Sequence, residues 1–186
     1  MPFLEESLPL REYPTFGRVA TWDEWRAATF QSIPDFLFPW FLSNMVGFCL
    51  LWIAIKFPQV SRKTWGFLLI LASLVNSYVV LTDPTGYIEY GVVAIPPLQH
   101  FIYSKFFASP TVLVLPIAIC QGIIGLVLLR SQNQRLVKAG LMGATIFFFG
   151  VSLLGIGSAF PSSLIYASTM MLCWPSSSSV KKVKYS

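Results

Sequence analysis

Residues 106–129 read FFASPTVLVLPIAICQGIIGLVLL, a run of 24 residues without a charge between Lys105 and Arg130. An α-helix rises about 1.5 Å per residue, so about 20 apolar residues cross the roughly 30 Å hydrocarbon core of a bilayer. This stretch is long enough and apolar enough to do so, and it predicts a transmembrane helix over 110–130. The same test, marking charges and measuring the gaps, sorts the rest of the chain. Twenty uncharged residues separate Asp35 from Lys56, 19 separate Lys63 from Asp83, and 42 separate Lys138 from Lys181. The longest gap holds two crossings with a turn near residues 155–163, where glycines, serines and Pro161 interrupt a helix. The predicted architecture is therefore an all-α integral membrane protein, a bundle of about five transmembrane helices over roughly 39–57, 65–82, 110–130, 137–155 and 160–174.

The remaining segments fall outside the bundle. Residues 1–38 hold acids and prolines rather than a basic end followed by an apolar run, which is not the pattern of a secretory signal. Trp22, Trp25 and Phe30 among Asp23, Glu24 and Arg26 predict an outer amphipathic N-terminal helix, capped by Thr21 with Glu24 three positions on. The gap from Glu89 to Lys105 is 15 residues and is broken by Pro96-Pro97, so it is too short to span. Pro97 to Phe107 instead predicts a short interfacial helix in a long outer loop, with Phe101, Tyr103, Phe106 and Phe107 at the headgroup level. Residues 175–186, rich in serine and lysine, read as a flexible basic tail.

Charge placement orients the bundle. With the N-terminus outside, the loops 56–63 and 130–138 and the tail carry nine Lys/Arg and no acid. All eight acids then lie outside, with only Arg11, Arg18, Arg26 and Lys105 as outer cations. This is the positive-inside bias, and it predicts a multi-pass protein of a cell membrane with a cytoplasmic C-terminus. Composition agrees: 55% of residues are apolar and only 11% charged, against about 25% charged in a soluble domain. The net charge of +5 comes without a basic stripe or recognition module, which argues against nucleic acid as a partner. The lipid bilayer is the expected one.

Motifs of chemistry are few. Cys49, Cys120 and Cys173 lie singly in apolar runs and read as small buried hydrophobes. No C-x-x-C pair, Cys/His cluster, P-loop, nucleotide fingerprint or nucleophile motif occurs, so no metal site is expected. Small residues four apart (Ser43/Gly47, Ser73/Ser77, Ala118/Gly122, Ala139/Gly143 and Gly140/Ala144) predict close helix contacts. The intramembrane amides Asn44, Asn76 and Gln121 should each face a partner, because a buried unpaired amide costs about 1–3 kcal/mol. The outer loop 83–109 is long beside the usual connection of about 2–8 residues in a bundle. It carries His100, the sole histidine, with the acids Asp83 and Glu89. The candidate ligand site is thus His100, Glu89 and Asp83 over a cavity lined by Tyr78, Asn76 and Gln121, roofed by residues 97–107. The plain alternative is an interfacial histidine beside surface acids, with amides that only join helices.

The stretch Ser109 to Arg130, continued through Val137-Lys138-Ala139-Gly140-Leu141-Met142-Gly143-Ala144-Thr145-Ile146-Phe147-Phe148, resembles the DoxX-like group of small integral membrane proteins. In that group an apolar span ends in a basic loop and a glycine-rich span follows. The likeness covers residues 95–174. It implies a compact helical membrane bundle. Because some relatives are subunits of quinone-linked sulfur oxidation or redox-stress complexes, it also implies a non-covalently bound quinone and other membrane or redox subunits as partners. No catalytic residue can be matched across. Two functional expectations follow: an accessory subunit or scaffold of a membrane complex, or a protein that binds or transports a quinone or small apolar molecule at the outer face. The thin catalytic inventory argues against a self-contained enzyme acting on a soluble substrate.

Overall fold

The computed structural model describes residues 16–104, 109–158 and 160–174. Among them every regular element is helical: α1 (Trp22–Lys56), α2 (Pro58–Thr82), α3 (Gly86–Glu89), α4 (Pro96–Tyr103), α5 (Pro110–Arg130), α6 (Gln134–Ser152) and α7 (Ser162–Leu172). Short 3-10 turns occupy Tyr90–Val92 and Gly155–Ser158.

The first helix starts where the sequence indicates. Thr21 Oγ1 accepts from the Glu24 amide at 3.3 Å, and the Glu24 carboxylate accepts from the Thr21 amide at 2.9 Å, a complete capping box. It does not stop where expected. The boundary anticipated at 38/39 lies inside one helix of 35 residues, which runs through Pro34 and Pro39. Each proline removes a backbone hydrogen bond. The first third of α1 is nonetheless held, because Ala28 clusters with Val92 and Val93, and Phe16, Phe36 and Ile156 pack against that cluster. Residues 1–15 of the expected outer segment, residues 105–107 of the expected interfacial helix and the tail 175–186 lie outside the described residues.

Among the described residues four helices are long and apolar enough to cross a membrane: Phe36–Lys56, Pro58–Thr82, Pro110–Arg130 and Gln134–Ser152. The chain therefore has the make-up of a multi-pass membrane protein. The second begins seven residues before the expected 65, since Pro58 sits in its first turn, where a missing N–H is harmless, and carries Arg62 and Lys63 into the helix. The fifth expected span is α7, whose 11 residues extend only about 16 Å as a helix. It packs between α1 and α6. Tyr166 Oη donates to the Ser43 carbonyl at 2.9 Å, and Trp40 Nε1 donates to the Phe160 carbonyl at 2.6 Å. At its other end Cys173 Sγ lies 3.2 Å from Ser61 Oγ. The α7 segment thus descends alongside α1, from the level of Trp40 to the start of α2.

Small residues set the tightest seam. A Cβ on Gly66 would stand 2.9 Å from the Gly125 carbonyl oxygen, and one on Gly125 would stand 2.6 Å from the Gly66 carbonyl oxygen. The backbones of α2 and α5 are therefore in direct contact. Farther along the same seam a Cβ on Gly122 would meet Ser73 Oγ at 2.8 Å. Of the expected small-residue contacts, Gly122 and Ser73 meet here and Gly47 packs on Ile165 and Tyr166, while Gly140 has only ordinary contacts with α5. Below this seam Leu50, Trp65, Leu69, Leu128, Leu141 and Met170 form the main core. Trp65 stacks edge-on against Phe148 and Tyr166 at 5.3 and 5.1 Å. Only Cys173 of the cysteines is buried; Cys49 and Cys120 lie on outward faces of the bundle. The expectation of three buried thiols is corrected accordingly: i, i+4 spacing and hydropathy do not tell a lipid-facing residue from a core one.

A cap closes the other end. Val92, Val93 and Ala94 are completely buried, between α1 on one side and residues 153–156 on the other. Ile95 N donates to the Leu153 carbonyl at 3.3 Å, and Trp25 Nε1 donates to the Val93 carbonyl at 3.1 Å. Gly155, at φ +63, passes so close to Val93 that a Cβ would lie 2.9 Å from its carbonyl oxygen. The loop after α2 is thus a packed layer whose position is fixed by the bundle beneath it.

Candidate functional site

The cap and the halves of α5 and α6 nearest it line a cleft of about 520 Å³. That volume lies within the range of small-molecule sites, about 300–1,000 Å³. One wall is Leu113, Val114 and Ile117 of α5, and the other is Ile146, Phe147, Gly150 and Val151 of α6. Leu98, Phe101 and Ile102 of α4 form the roof. These three recur at i, i+3 and i+4, so they share one face of the short helix. At the back stand Asn76 of α2 and Tyr87 of α3, with Tyr90 beside them. The walls are held apart at Gly150, where an added Cβ would meet nothing within 4 Å.

The polar end is a chain of neutral groups. Tyr87 Oη donates to Asn76 Oδ1 at 3.1 Å, and Asn76 Nδ2 donates to Gln121 Oε1 at 2.9 Å. Burial raises the Tyr87 hydroxyl above its ordinary value, with the neighbouring Tyr90 adding to the effect. It therefore stays protonated and acts as a donor. The bond joins α2 to α5 as the intramembrane amides required. Asn44, the third amide, donates to the Trp40 carbonyl within its own helix at 2.8 Å.

The sequence-predicted residues divide. Asn76 lines the cleft. Gln121 is buried directly behind it and reaches the site only through Asn76. His100 sits on the exposed face of α4, whereas Leu98, Phe101 and Ile102 face the cleft. Tyr78 points outward and is 68% exposed. Asp83 caps the end of α2 and accepts from Thr85 Oγ1 at 2.6 Å, and half-buried Glu89 ends α3 away from the lining. The anticipated roof over 97–107 is present as far as it is described, but His100, Asp83 and Glu89 are not gathered beneath it.

Sequence reasoning missed Tyr87 and Tyr90. Their i, i+3 spacing in a loop bounded by Pro84 and Pro96 was the available signal. It also missed Gln99, which is completely buried. Its Oε1 accepts from the Ala20 amide at 2.7 Å, and its Nε2 donates to the Val92 carbonyl at 3.3 Å. One amide therefore ties the segment before α1 to the roof helix. Among the described residues no group of three His, Cys, Asp or Glu is placed to hold a metal ion. The lining supplies dispersion contacts, aromatic faces and neutral hydrogen bonds.

No family model, curated protein or solved structure matches this chain.

Proposed function

We propose that this chain is a membrane protein that binds an apolar, bilayer-borne molecule carrying a hydrogen-bonding head, in the cleft between α5 and α6. The observation that carries this reading is the cleft itself: long apolar walls ending on the Asn76–Tyr87 pair. The tail of such a molecule lies along Ile117, Ile146 and Phe147, and its head meets the amide of Asn76 and the hydroxyls of Tyr87 and Tyr90. A quinone has this chemistry, with a flat ring for Phe101 and Phe147, carbonyl acceptors for the Tyr90 hydroxyl and the second Asn76 N–H, and an isoprenoid tail. It is held without a covalent bond. The likeness of residues 95–174 to the DoxX-like group points the same way. His100, first expected at the mouth, has no part in this reading.

The test uses Gly150→Phe, which fills the cleft where the backbone leaves open space. Wild-type protein extracted in mild detergent should carry a quinone or lipid-like species detected by mass spectrometry, and Gly150→Phe should lose it while keeping its helical content. Equal recovery from both proteins would reject the cleft as the site.

A second reading, an accessory subunit that holds partners in a membrane complex, rests on α1. Phe38, Phe41, Met45, Phe48, Trp52 and Ile55 are all exposed, and their alternating spacings of three and four make a continuous seam of the kind that receives another helix. The two readings are compatible.

For topology we propose five crossings with the N-terminus outside. Lys56, Arg62, Lys63, Arg130, Arg135 and Lys138 gather at one end of the bundle, and Asp23, Glu24, Asp83 and Glu89 lie at the other. The return of Cys173 to Ser61 supports a fifth passage, by α7 with its flanking residues. A cysteine introduced at Ser131 should resist an impermeant reagent in intact cells; labelling from outside would overturn the orientation.

A further inference from the structure

A second groove lies farther toward the basic end of α6, with Ile146 shared between it and the cleft. It has a volume of about 330 Å³ and is lined by Met142, Thr145 and Ile146 of α6 with Met171 and Trp174 at the end of α7. Its one hydroxyl, Thr145 Oγ1, is satisfied by the Leu141 carbonyl at 2.8 Å, so the wall is apolar in effect. One cation stands at its mouth and a second lies beyond Cys173. Lys138, one turn before Met142, places Nζ 5.6 Å from the centre of the Trp174 ring. Arg62 lies close enough to the neighbouring Cys173 to act on it electrostatically. The Nε of Arg62 is buried without a hydrogen-bond partner. Described acids are found only at the far end of the bundle.

A buried guanidinium nitrogen without an acceptor, a lysine held over an indole, and a dry slot leading away from both define one kind of occupant. We propose that the α6–α7 groove is a binding site for an anionic phospholipid. Its phosphate sits between Lys138 and Arg62, its acyl chain lies against Met142, Ile146 and Met171, and Trp174 marks the headgroup level. The phosphate offers the Arg62 guanidinium a charge-assisted acceptor. The indole, amphipathic and exposed, suits the boundary between headgroup and chain. The site adjoins the cleft between α5 and α6 at Ile146, and its charged end lies toward the start of α6.

Trp174 is its own reporter. The full chain is reconstituted in phosphatidylcholine vesicles containing a minor fraction of either brominated phosphatidylglycerol or brominated phosphatidylcholine. The quenching of Trp174 is taken as the difference from Trp174→Phe. Brominated phosphatidylglycerol should quench Trp174 well beyond its mole fraction, and brominated phosphatidylcholine should not. A basic residue near the surface contributes about 1 kcal/mol toward an anionic lipid, so Lys138→Gln should lower the preference about fivefold, while Lys138→Arg should keep it. Equal quenching by the two lipids would make the occupant ordinary surrounding lipid and overturn the proposal. Protection of Trp174 from both lipids would mean that protein covers the groove, and would overturn it equally.

Discussion

Replacing Gly125 by alanine adds one methyl group to a seam that has no room for it. The new Cβ would lie 2.6 Å from the Gly66 carbonyl oxygen, 2.7 Å from Ile70 Cγ1 and 3.0 Å from the Ile70 amide nitrogen. Two of these are backbone atoms of α2, so no rotamer change relieves the clash. Ordinary contact begins near 3.4 Å, and 3.4 − 2.6 = 0.8 Å is the separation the two helices must make locally. Overpacking of this kind costs about 1–3 kcal/mol. Alanine returns up to about 1 kcal/mol through its better helix propensity. Because the obstacle is backbone and the same seam carries the Asn76–Gln121 hydrogen bond, the cost falls at the upper end, for a net loss of about 2 kcal/mol. Gly66→Ala should behave alike. The double variant should lose less than the sum, since helices already parted for one methyl accommodate the other. Gly140→Ala is the control: its Cβ finds nothing closer than 3.6 Å, so it should be neutral or slightly stabilising. Reversible unfolding in mixed micelles of mild detergent and dodecyl sulfate measures all four. A Gly125→Ala protein as stable as wild type, or a strictly additive double variant, would refute direct contact between the α2 and α5 backbones.

Other expectations concern the cap and the cleft. Gln99→Leu leaves the Ala20 amide and the Val92 carbonyl without their buried partner, a cost of about 1–3 kcal/mol; hydrogen exchange should accelerate at residues 18–25 and 92–99 while α2 and α5 stay protected. The Glu24 carboxyl is held down to about 2 from 4.5, first by its hydrogen bond from Arg18 and then by the Thr21 amide. Its stabilisation of the α1 start is therefore complete above 4.5 and lost as pH falls through about 2. Proteolysis by an acid-active protease near Thr21 should rise across that window, and Glu24→Gln should remove the pH dependence. Asn76→Leu removes the link between Tyr87 and Gln121. It should weaken co-purification of a cleft ligand, and a detergent-extracted protein that keeps its full ligand load would count against the polar end of the site.

The membrane character of this protein, its helices and its end-to-end charge asymmetry were legible in the sequence because each depends on local quantities. Twenty uncharged residues match a bilayer thickness whatever their neighbours do, and Thr21 with Glu24 caps a helix by contacts three residues apart. The pairing of Asn76 with Gln121 was half legible: an amide in a span demands a partner, but the demand does not name one. Tertiary structure decided the rest, because it rests on where helices cross. Gly66 and Gly125 are 59 positions apart in sequence and become a contact only through the angle at which α2 meets α5. His100 and Gln99 are neighbours in the chain, yet a 100° turn of α4 sends one outward and the other into the interior. The run of α1 through two prolines is likewise a tertiary outcome, because the hydrogen bonds lost at Pro34 and Pro39 are offset by packing on Val92 and Val93. Those two residues lie in a loop that carries no regular pattern of its own.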